Sequence, residues 1–214
     1  MGFYEKLTRF SYRVCWKIGN PFLRKWFQIE TKGSKNLENL KGPLIVAFNH
    51  SSWLDPFFIG TVVPPNLPIA PIRYAAWYKH YWKFFPFLFL SGAFPIKRGI
   101  GLKKTLEAGL KILQHGGTVG IMPEGKRRRF GRRRKGRKGV AFLALKTKAP
   151  ILPIYIDGAL GLKLRDIFTK RKIVVTIGKS FSLPAPPVEN LENHPDLIKF
   201  SNLVMKKIYD LKHA

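Results

Sequence analysis

The first 28 residues alternate apolar and cationic positions at the spacing of amphipathic helices. Apolar residues recur every three to four positions, at Phe3, Leu7, Phe10, Val14 and Ile18. Asn20 and Pro21 are typical of a helix end. We therefore predict one helix over 3–18 and a second, shorter helix over 22–27.

Two consecutive cationic amphipathic helices are typical of a segment that lies in a membrane interface, with its apolar side among the lipid chains and its cations at the headgroups. We predict that residues 1–28 form such an amphipathic two-helix membrane anchor. The alternative is that the two helices only cap the core of the domain that follows.

Beyond residue 28, short apolar runs alternate with amphipathic stretches. The apolar runs predict strands over 44–48, 69–74, 93–96, 118–122, 151–156 and 173–177. The amphipathic stretches predict helices over 55–63, 102–115, 139–147 and 195–212. Pro153 favours an edge or bulge position for its strand. This alternation predicts an α/β fold, a layered mixed sheet flanked by helices, for a domain spanning 29–214.

Charge and aromatic content narrow the choice of partner. The formal net charge is +27, from 39 Lys and Arg against 12 Asp and Glu. Such a surface attracts polyanions: nucleic acid, anionic lipid headgroups or phosphorylated substrates. The 17 Phe, 5 Trp and 7 Tyr favour a membrane among these, because rings and cations together are typical of the headgroup region.

No stretch predicts a membrane-spanning helix or a secretory signal. The uncharged run from Pro56 to Ile72 is interrupted by prolines, whereas a spanning helix needs about 20 mostly apolar residues. The lone Cys15 excludes an intramolecular disulfide and fits a reducing compartment. We therefore predict a peripheral or monotopic protein on the cytoplasmic face of a membrane.

Two segments have biased compositions. Residues 77–85 mix aromatic and cationic side chains, and either dip into a bilayer or line the core or an acyl tunnel. Ten of the thirteen residues over 126–138 are Lys or Arg. A block of like charges is usually solvated, and its position directly after Pro123, Glu124 and Gly125 suggests that it gates or docks an anionic partner.

The main candidate for chemistry is the pair His50 and Asp55, which follows the predicted strand 44–48. Open α/β sheets usually place ligands at the carboxyl ends of strands. A turn between the two residues would bring the carboxylate onto the imidazole, where it fixes the tautomer and stabilises the imidazolium. The other ring nitrogen then acts as a general base. A His and an Asp at this spacing also occur by chance, so the pair needs support from other motifs.

Two more turns carry candidate binding residues. Glu124 and Gly125 follow a predicted strand; Glu124 suits bonds to backbone amides or to a basic neighbour, and Gly125 allows a ligand to approach closely. Lys97 and Arg98 end another strand, and Arg98 suits a bidentate phosphate contact.

Metal and serine-nucleophile chemistry are disfavoured. The other histidines, at positions 80, 115, 194 and 213, lack metal-ligand spacing. Ser51 and Ser52 adjoin His50, but the sequence has no G-x-S-x-G elbow. We therefore predict no metal.

Four blocks in fixed order resemble those of the glycerolipid acyltransferase family over about residues 43–158. They are N-H-x-x-x-x-D at Asn49, His50 and Asp55, F-P-I-K-R at 94–98, M-P-E-G-K-R at 122–127, and A-P-I-L-P-I at 149–154. The chain departs from the family pattern at Lys126, where the family usually has Thr, and in the length of the basic run that follows.

The resemblance implies direct acyl transfer from an acyl thioester to lysophosphatidic acid, giving phosphatidic acid in phospholipid biosynthesis. It implies that His50 takes the proton of the acceptor hydroxyl and that Asp55 orients His50. The implied contacts to the acceptor phosphate come from Lys97, Arg98, Glu124, Gly125 and Arg127. The implied co-substrate is acyl-CoA or acyl carrier protein, with no cofactor.

Other functions fit parts of the sequence. A nucleic-acid-binding module would use the charge, but no recognised reading motif is present, so we expect no nucleic acid partner. An inactive relative would bind anionic lipid without transferring an acyl group. Among enzymes, the alternative acceptors are other lysophospholipids, glycerol 3-phosphate and lyso-ornithine lipid.

Overall fold

The computed structural model describes residues 3–65, 72–77, 93–97, 99–128, 133–184, 191 and 194–213. Their helices are α1 (Phe3–Trp26), α2 (Asp55–Val62), α3 (Leu102–Gln114), α4 (Gly139–Thr147) and α5 (Asp196–Asp210). Their strands are β1 (Gln28–Lys32), β2 (Leu44–Phe48), β3 (Ile72–Trp77), β4 (Phe94–Ile96), β5 (Thr118–Ile121), β6 (Ile151–Asp157) and β7 (Lys172–Ile177). The predicted α/β fold with a mixed sheet is confirmed.

The seven described strands form one sheet in the order β1-β7-β6-β2-β5-β3-β4. All neighbouring strands are parallel except β6 and β7, which are antiparallel. The carboxyl ends of β2 to β6 therefore meet at one edge, which we call the carboxyl edge. Because β7 runs against β6, and β1 runs with β7, both of those strands begin at this same edge.

Helices cover both faces of the sheet, and the central strand β2 illustrates the consequence. Its alternate residues Ile45 and Ala47 pack with α3, α4 and α5. Val46 and Phe48 point to the other face and pack with α2 and Phe27. A parallel strand buried on both faces needs apolar residues at every position, which is why residues 44–48 form a continuous apolar run.

The predicted two-helix segment at the N-terminus is a single helix. α1 runs through Asn20 and Pro21 to Trp26, so the predicted break between residues 18 and 22 is wrong. A proline inside a helix removes one backbone hydrogen bond and costs about 3 kcal/mol or more.

Contacts on both sides of Pro21 offset this cost. The hydroxyl of Tyr12 donates to the carbonyl of Val63 at 2.6 Å and ties the helix to the end of α2. Across the proline, Arg24 Nε donates to Asn20 Oδ1 at 3.0 Å. Tertiary packing therefore overrides the local signal. The division of the chain near residue 28 stays a prediction.

Strand β6 corrects part of a second prediction: it lies inside the sheet, so the predicted edge position of Pro153 is wrong. Its antiparallel ladder with β7 begins at Ile154, which pairs with Ile177. An isolated antiparallel bridge joins Ile151 to Phe181, so Pro153 lies in the gap between this bridge and the ladder, where its missing N–H interrupts neither. Its carbonyl accepts the amide of Gly178 at 2.9 Å.

Two strands differ in placement from the sequence pattern. β3 spans 72–77 rather than 69–74, and residues 69–71 lie outside the described part of the chain. β1 was not predicted, because Gln28–Lys32 is polar and its ends are exposed. It pairs with β7 at the end of the sheet order, where one of its flanks meets no other described strand.

Candidate active site

Two loops at the carboxyl edge bring the predicted catalytic residue His50 next to the predicted binding residue Glu124. One follows β2 and the other follows β5. The amide of His50 donates to Oε1 of Glu124 at 3.1 Å. The carbonyl of His50 accepts the amide of Arg128 at 2.7 Å. Residues of the second loop therefore hold both backbone polar groups of His50.

His50 and Asp55 form a hydrogen-bonded pair. Nδ1 of His50 lies 2.9 Å from Oδ2 of Asp55. The same oxygen accepts the amides of Ser51 at 2.7 Å and Ser52 at 2.8 Å. Because this oxygen accepts two backbone N–H groups, it carries no proton of its own and can only accept a hydrogen bond from the ring. Nδ1 of His50 is therefore the donor and carries the proton. Nε2 is then the ring nitrogen with a free lone pair.

His50 and Asp55 differ in exposure. A general base must reach the substrate, whereas the group that orients it can be buried. The Asp55 side chain is fully buried and that of His50 is 19% exposed. Asp55 is the first residue of α2, where the helix dipole favours negative charge. Pro56 follows it, at a position where a helix tolerates proline.

Asn49 anchors the loop to the sheet. Its side-chain oxygen accepts the amide of Ile156 at 2.7 Å, and its side-chain nitrogen donates to the carbonyl of the same residue at 2.9 Å. This pair of bonds continues the pairing of β2 with β6 by one residue. The imidazole of His50 therefore starts from a fixed backbone.

Glu124 lies beneath His50 and does not contact the cavity. Its side chain is buried, with 2% of the residue exposed, and Oε1 also accepts the hydroxyl of Tyr209 at 3.2 Å. Oε2 accepts no hydrogen bond from any described residue. Glu124 thus bonds a backbone amide as predicted, and of the two predicted binding residues in this turn Gly125 lines the cavity.

Gly125 forms the surface of the turn. Its φ of +66° is unfavourable for other residues, and an added Cβ would lie 2.4 Å from Cδ of Arg137. It lines the cavity together with His50.

The cavity beside His50 is large and open, with a volume of about 2220 Å³. Part of its lining is mostly apolar and comes from α1 and α2, including Tyr12, Trp16, Leu23 and Phe57. Another part consists of cations of the loop after β5: the buried Arg128 and five others that we call the basic rim, Lys126, Arg127, Arg134, Arg137 and Lys138. The cavity therefore combines an apolar wall with a cationic one.

The other predicted binding residues differ in placement. Arg127 is exposed and belongs to the basic rim. Lys97 is exposed between Ile96 and Gly99, which both line the cavity. Arg98 lies outside the described residues.

The sequence interpretation missed Arg128, Ser51 and Tyr209. Arg128 is buried and its Nη2 donates to Oγ of Ser51 at 2.7 Å. Its guanidinium also lies 5.5 Å from the ring centre of Tyr209. In the sequence Arg128 is one cation among ten, and no local signal separates it from its neighbours.

Burial raises the pKa of the Glu124 carboxyl, although the His50 amide, Arg128 and Tyr209 partly oppose the shift. A raised folded-state pKa adds stability at low pH that is lost as pH rises through that value. As pH rises from about 4, the ordinary range of a Glu carboxyl, we expect the free energy of unfolding of the wild type to fall relative to that of Glu124→Gln. The Gln oxygen can keep both hydrogen bonds. Urea unfolding at several pH values measures this, and a difference that does not change with pH would contradict it.

The described residues contain no group of three or more His, Cys, Asp or Glu side chains placed to hold a metal ion. None of the described helices combines the length and the apolar content needed to cross a bilayer.

Comparisons with known proteins agree with this geometry. A family model described as Acyltransferase matches residues 28–157. The chain is 30% identical over 179 residues to the 1-acyl-sn-glycerol-3-phosphate acyltransferase of Borreliella burgdorferi, covering 80% of this chain and 67% of that protein. It is 30% identical over 149 residues to the protein of the same name from Bacillus subtilis, covering 67% and 70%.

A solved structure shares the fold. The crystal structure of PlsC, the 1-acyl-sn-glycerophosphate (LPA) acyltransferase from Thermotoga maritima, matches with a TM-score of 0.65. The match covers 99% of this chain and 80% of that one, at 21% sequence identity. At this identity the likeness supports the architecture rather than the activity.

Proposed function

Because the chain belongs to the acyltransferase family, we propose that it moves a fatty acyl group from an acyl thioester to the free hydroxyl of lysophosphatidic acid, giving phosphatidic acid for phospholipid synthesis. One observation carries the proposal: His50 lines the cavity with Nδ1 bound to buried Asp55, which leaves Nε2 for a substrate. The names of two relatives at 30% identity support this acceptor.

The proposed reaction uses His50 as base and then as acid. Nε2 takes the proton of the acceptor hydroxyl while the hydroxyl oxygen bonds to the thioester carbonyl carbon. The C–S bond then breaks, and the leaving thiolate takes the proton back from the imidazolium. Asp55 stabilises the imidazolium through the bond at Nδ1. The net reaction needs no metal, cofactor or acyl-enzyme.

Cations around the cavity suit the phosphate of the acceptor. Arg127 is exposed at the basic rim, and a guanidinium binds phosphate through two parallel hydrogen bonds. Gly125 lets a phosphate oxygen approach the backbone. Lys97 and Arg98 complete the proposed set from the sequence motif.

The basic rim also suits the donor. Both acyl-CoA and acyl carrier protein are anionic, and five cations of the rim lie on the cavity wall close to the turn that carries Gly125. We propose that an anionic thioester donor approaches over this wall, so that its carbonyl reaches His50. The apolar lining from α1 and α2 would hold the acyl chain.

The exposed side of α1 supports a position on an anionic membrane surface. Five exposed apolar residues recur every four positions along it: Phe10, Val14, Ile18, Phe22 and Trp26. Exposed cations flank them: Lys6, Arg13, Lys17, Arg24 and Lys25. Such a helix lies in the headgroup region, and each well-placed cation adds about 1 kcal/mol. The proposed face is cytoplasmic, where anionic lipid is abundant.

Exposed aromatic rings from elements other than α1 lie near the carboxyl edge of the sheet. Trp53 follows His50 in the catalytic loop, and Phe168, 86% exposed, lies in the connection that leads into β7. α1 ends at this edge, because Gln28 at the start of β1 donates to the carbonyl of Arg171 at 3.2 Å. A bilayer that meets this edge would deliver lysolipid directly to the cavity. The aromatic segment 78–85 lies outside the described residues.

The test is acyl transfer by the purified full chain on vesicles containing phosphatidylglycerol. Labelled acyl-CoA or acyl carrier protein is supplied with lysophosphatidic acid, another lysophospholipid, glycerol 3-phosphate or lyso-ornithine lipid. We expect labelled phosphatidic acid, with lysophosphatidic acid as the preferred acceptor. The His50→Ala variant provides the blank.

The outcomes separate the alternatives. Transfer mainly to another acceptor would overturn the proposed substrate but keep the reaction. Absence of transfer from both donors, with vesicle binding intact, would favour a lipid-binding protein without catalysis.

A further inference from the structure

Arg128 differs from the other described cations of the 126–138 run. Arg127, Arg133, Arg134, Lys135 and Arg137 are exposed to solvent, whereas Arg128 is 8% exposed. A guanidinium is costly to remove from water unless it is paired and hydrogen-bonded. Its burial directly behind the catalytic loop therefore calls for a specific set of partners.

These partners surround the guanidinium. Nη2 donates to Oγ of Ser51 at 2.7 Å, and Nε lies 3.6 Å from Oε1 of Glu124. The rings of Tyr155 and Tyr209 lie against it, with centres 5.8 and 5.5 Å away. A guanidinium stacks favourably on aromatic faces. Strand β6 and helix α5 thus enclose a cation that donates a short hydrogen bond to the catalytic loop.

Ser51 connects Arg128 to the catalytic pair through hydrogen bonds. Its Oγ accepts from Arg128 and from Asn49 Nδ2, the latter at 3.0 Å. Its amide donates to Oδ2 of Asp55, the oxygen that also binds His50. A shift of Ser51 would therefore move one of the three donors that define the position of this oxygen.

We propose that Arg128 is a positioning residue, which holds the Asp55 carboxylate in register with His50 by fixing Ser51. The proposal rests on the proposed function, since it assigns Arg128 to the same reaction. It differs from a role in phosphate binding, because Arg128 borders the cavity but its guanidinium is bonded to Ser51 and lies against the rings of Tyr155 and Tyr209.

A double-mutant cycle with Arg128→Met and Ser51→Ala tests the connection. Both variants keep the backbone N–H groups that bond His50 and Asp55. Misplacement of a catalytic group by about 1 Å costs about 10²-fold in rate, so each variant is expected to lower kcat by about that factor with little change in the KM of either substrate. The double variant should be no slower than the slower single one. Losses that multiply to about 10⁴, or a rise in KM alone, would overturn the proposal.

Arg133→Met is the matched control. Arg133 belongs to the same run and its guanidinium lies 5.2 Å from the ring centre of Tyr209, but it is exposed. We expect its kcat to remain close to that of the wild type. An equal loss in this variant would point to general loss of charge rather than to the contact with Ser51.

A spectroscopic readout separates this proposal from the proposed function. The proton between Nδ1 of His50 and Asp55 is expected as a downfield resonance in histidine-labelled protein, assigned by its loss in His50→Ala. Arg128→Met and Ser51→Ala should broaden or shift this resonance, and Arg133→Met should not. If the wild type transfers no acyl group, the proposed function fails while this test still stands. An unchanged resonance in both variants would overturn the role of Arg128.

Discussion

Replacement of His50 by alanine is expected to lower kcat for acyl transfer by about 10² to 10⁴, the contribution of a positioned general base. The KM for lysophosphatidic acid should change little, because the imidazole acts on a proton rather than on the phosphate. Alanine removes a part-exposed ring and leaves the bonds that Glu124 and Arg128 make to the backbone of residue 50. The fold should therefore be retained. Steady-state kinetics on anionic vesicles measure the effect.

His115→Ala is the matched control for this substitution. His115 is exposed at the end of α3, where its Nδ1 lies 2.7 Å from the carbonyl of Lys111. Its removal should leave kcat unchanged. Wild-type rates from His50→Ala would exclude His50 as the base.

Segments whose burial follows a regular pattern along the chain could be predicted from the sequence. Residues 44–48 are apolar at every position because helices cover both faces of β2, and such a run has few other interpretations. Helix α3 has one buried face, and the periodicity of Leu106, Leu110 and Leu113 marks it directly. The juxtaposition of His50 and Asp55 also followed from a turn between them, because their contact is local.

Contacts between distant residues could not be predicted in the same way. Arg128 and Ser51 are 77 positions apart, and Tyr209 reaches Glu124 from the last described α-helix. A charge run is normally solvated, so the buried member of this one carries no signal of its own. Its environment arises only when β6 and α5 close over the loop.

Two predictions that were based on prolines, at Pro21 and Pro153, were wrong for one physical reason. Pro21 and Pro153 each lack an N–H, and the prediction assumed that the loss would end a helix or expose a strand. At Pro21 contacts on both sides outweigh one missing bond, and Pro153 lies in a gap between two antiparallel pairings of β6. The cost of a proline depends on where its missing donor would point.

Replacement of Asp55 by asparagine is expected to lower kcat by about 10- to 10²-fold. The amides of Ser51 and Ser52 require an acceptor at the Oδ2 position, so the asparagine oxygen should lie there and still accept from Nδ1 of His50. The tautomer is then kept, and what is lost is the charge that stabilises the imidazolium. A hydrogen bond to a charged group contributes about 1.5–3 kcal/mol, and each 1.36 kcal/mol corresponds to about tenfold in rate.

Asp55→Ala separates position from charge. It removes the acceptor as well, leaves the two loop amides without their partner and frees the imidazole to rotate. Its kcat should fall further than that of Asp55→Asn, toward the level of His50→Ala, and each unpaired buried amide should cost about 1–3 kcal/mol of stability. Single-turnover rates and thermal unfolding of the three variants measure both effects. Equal rates for Asp55→Asn and the wild type would show that the carboxylate charge takes no part, and equal rates for Asp55→Asn and Asp55→Ala would show that charge, not orientation, is its whole contribution.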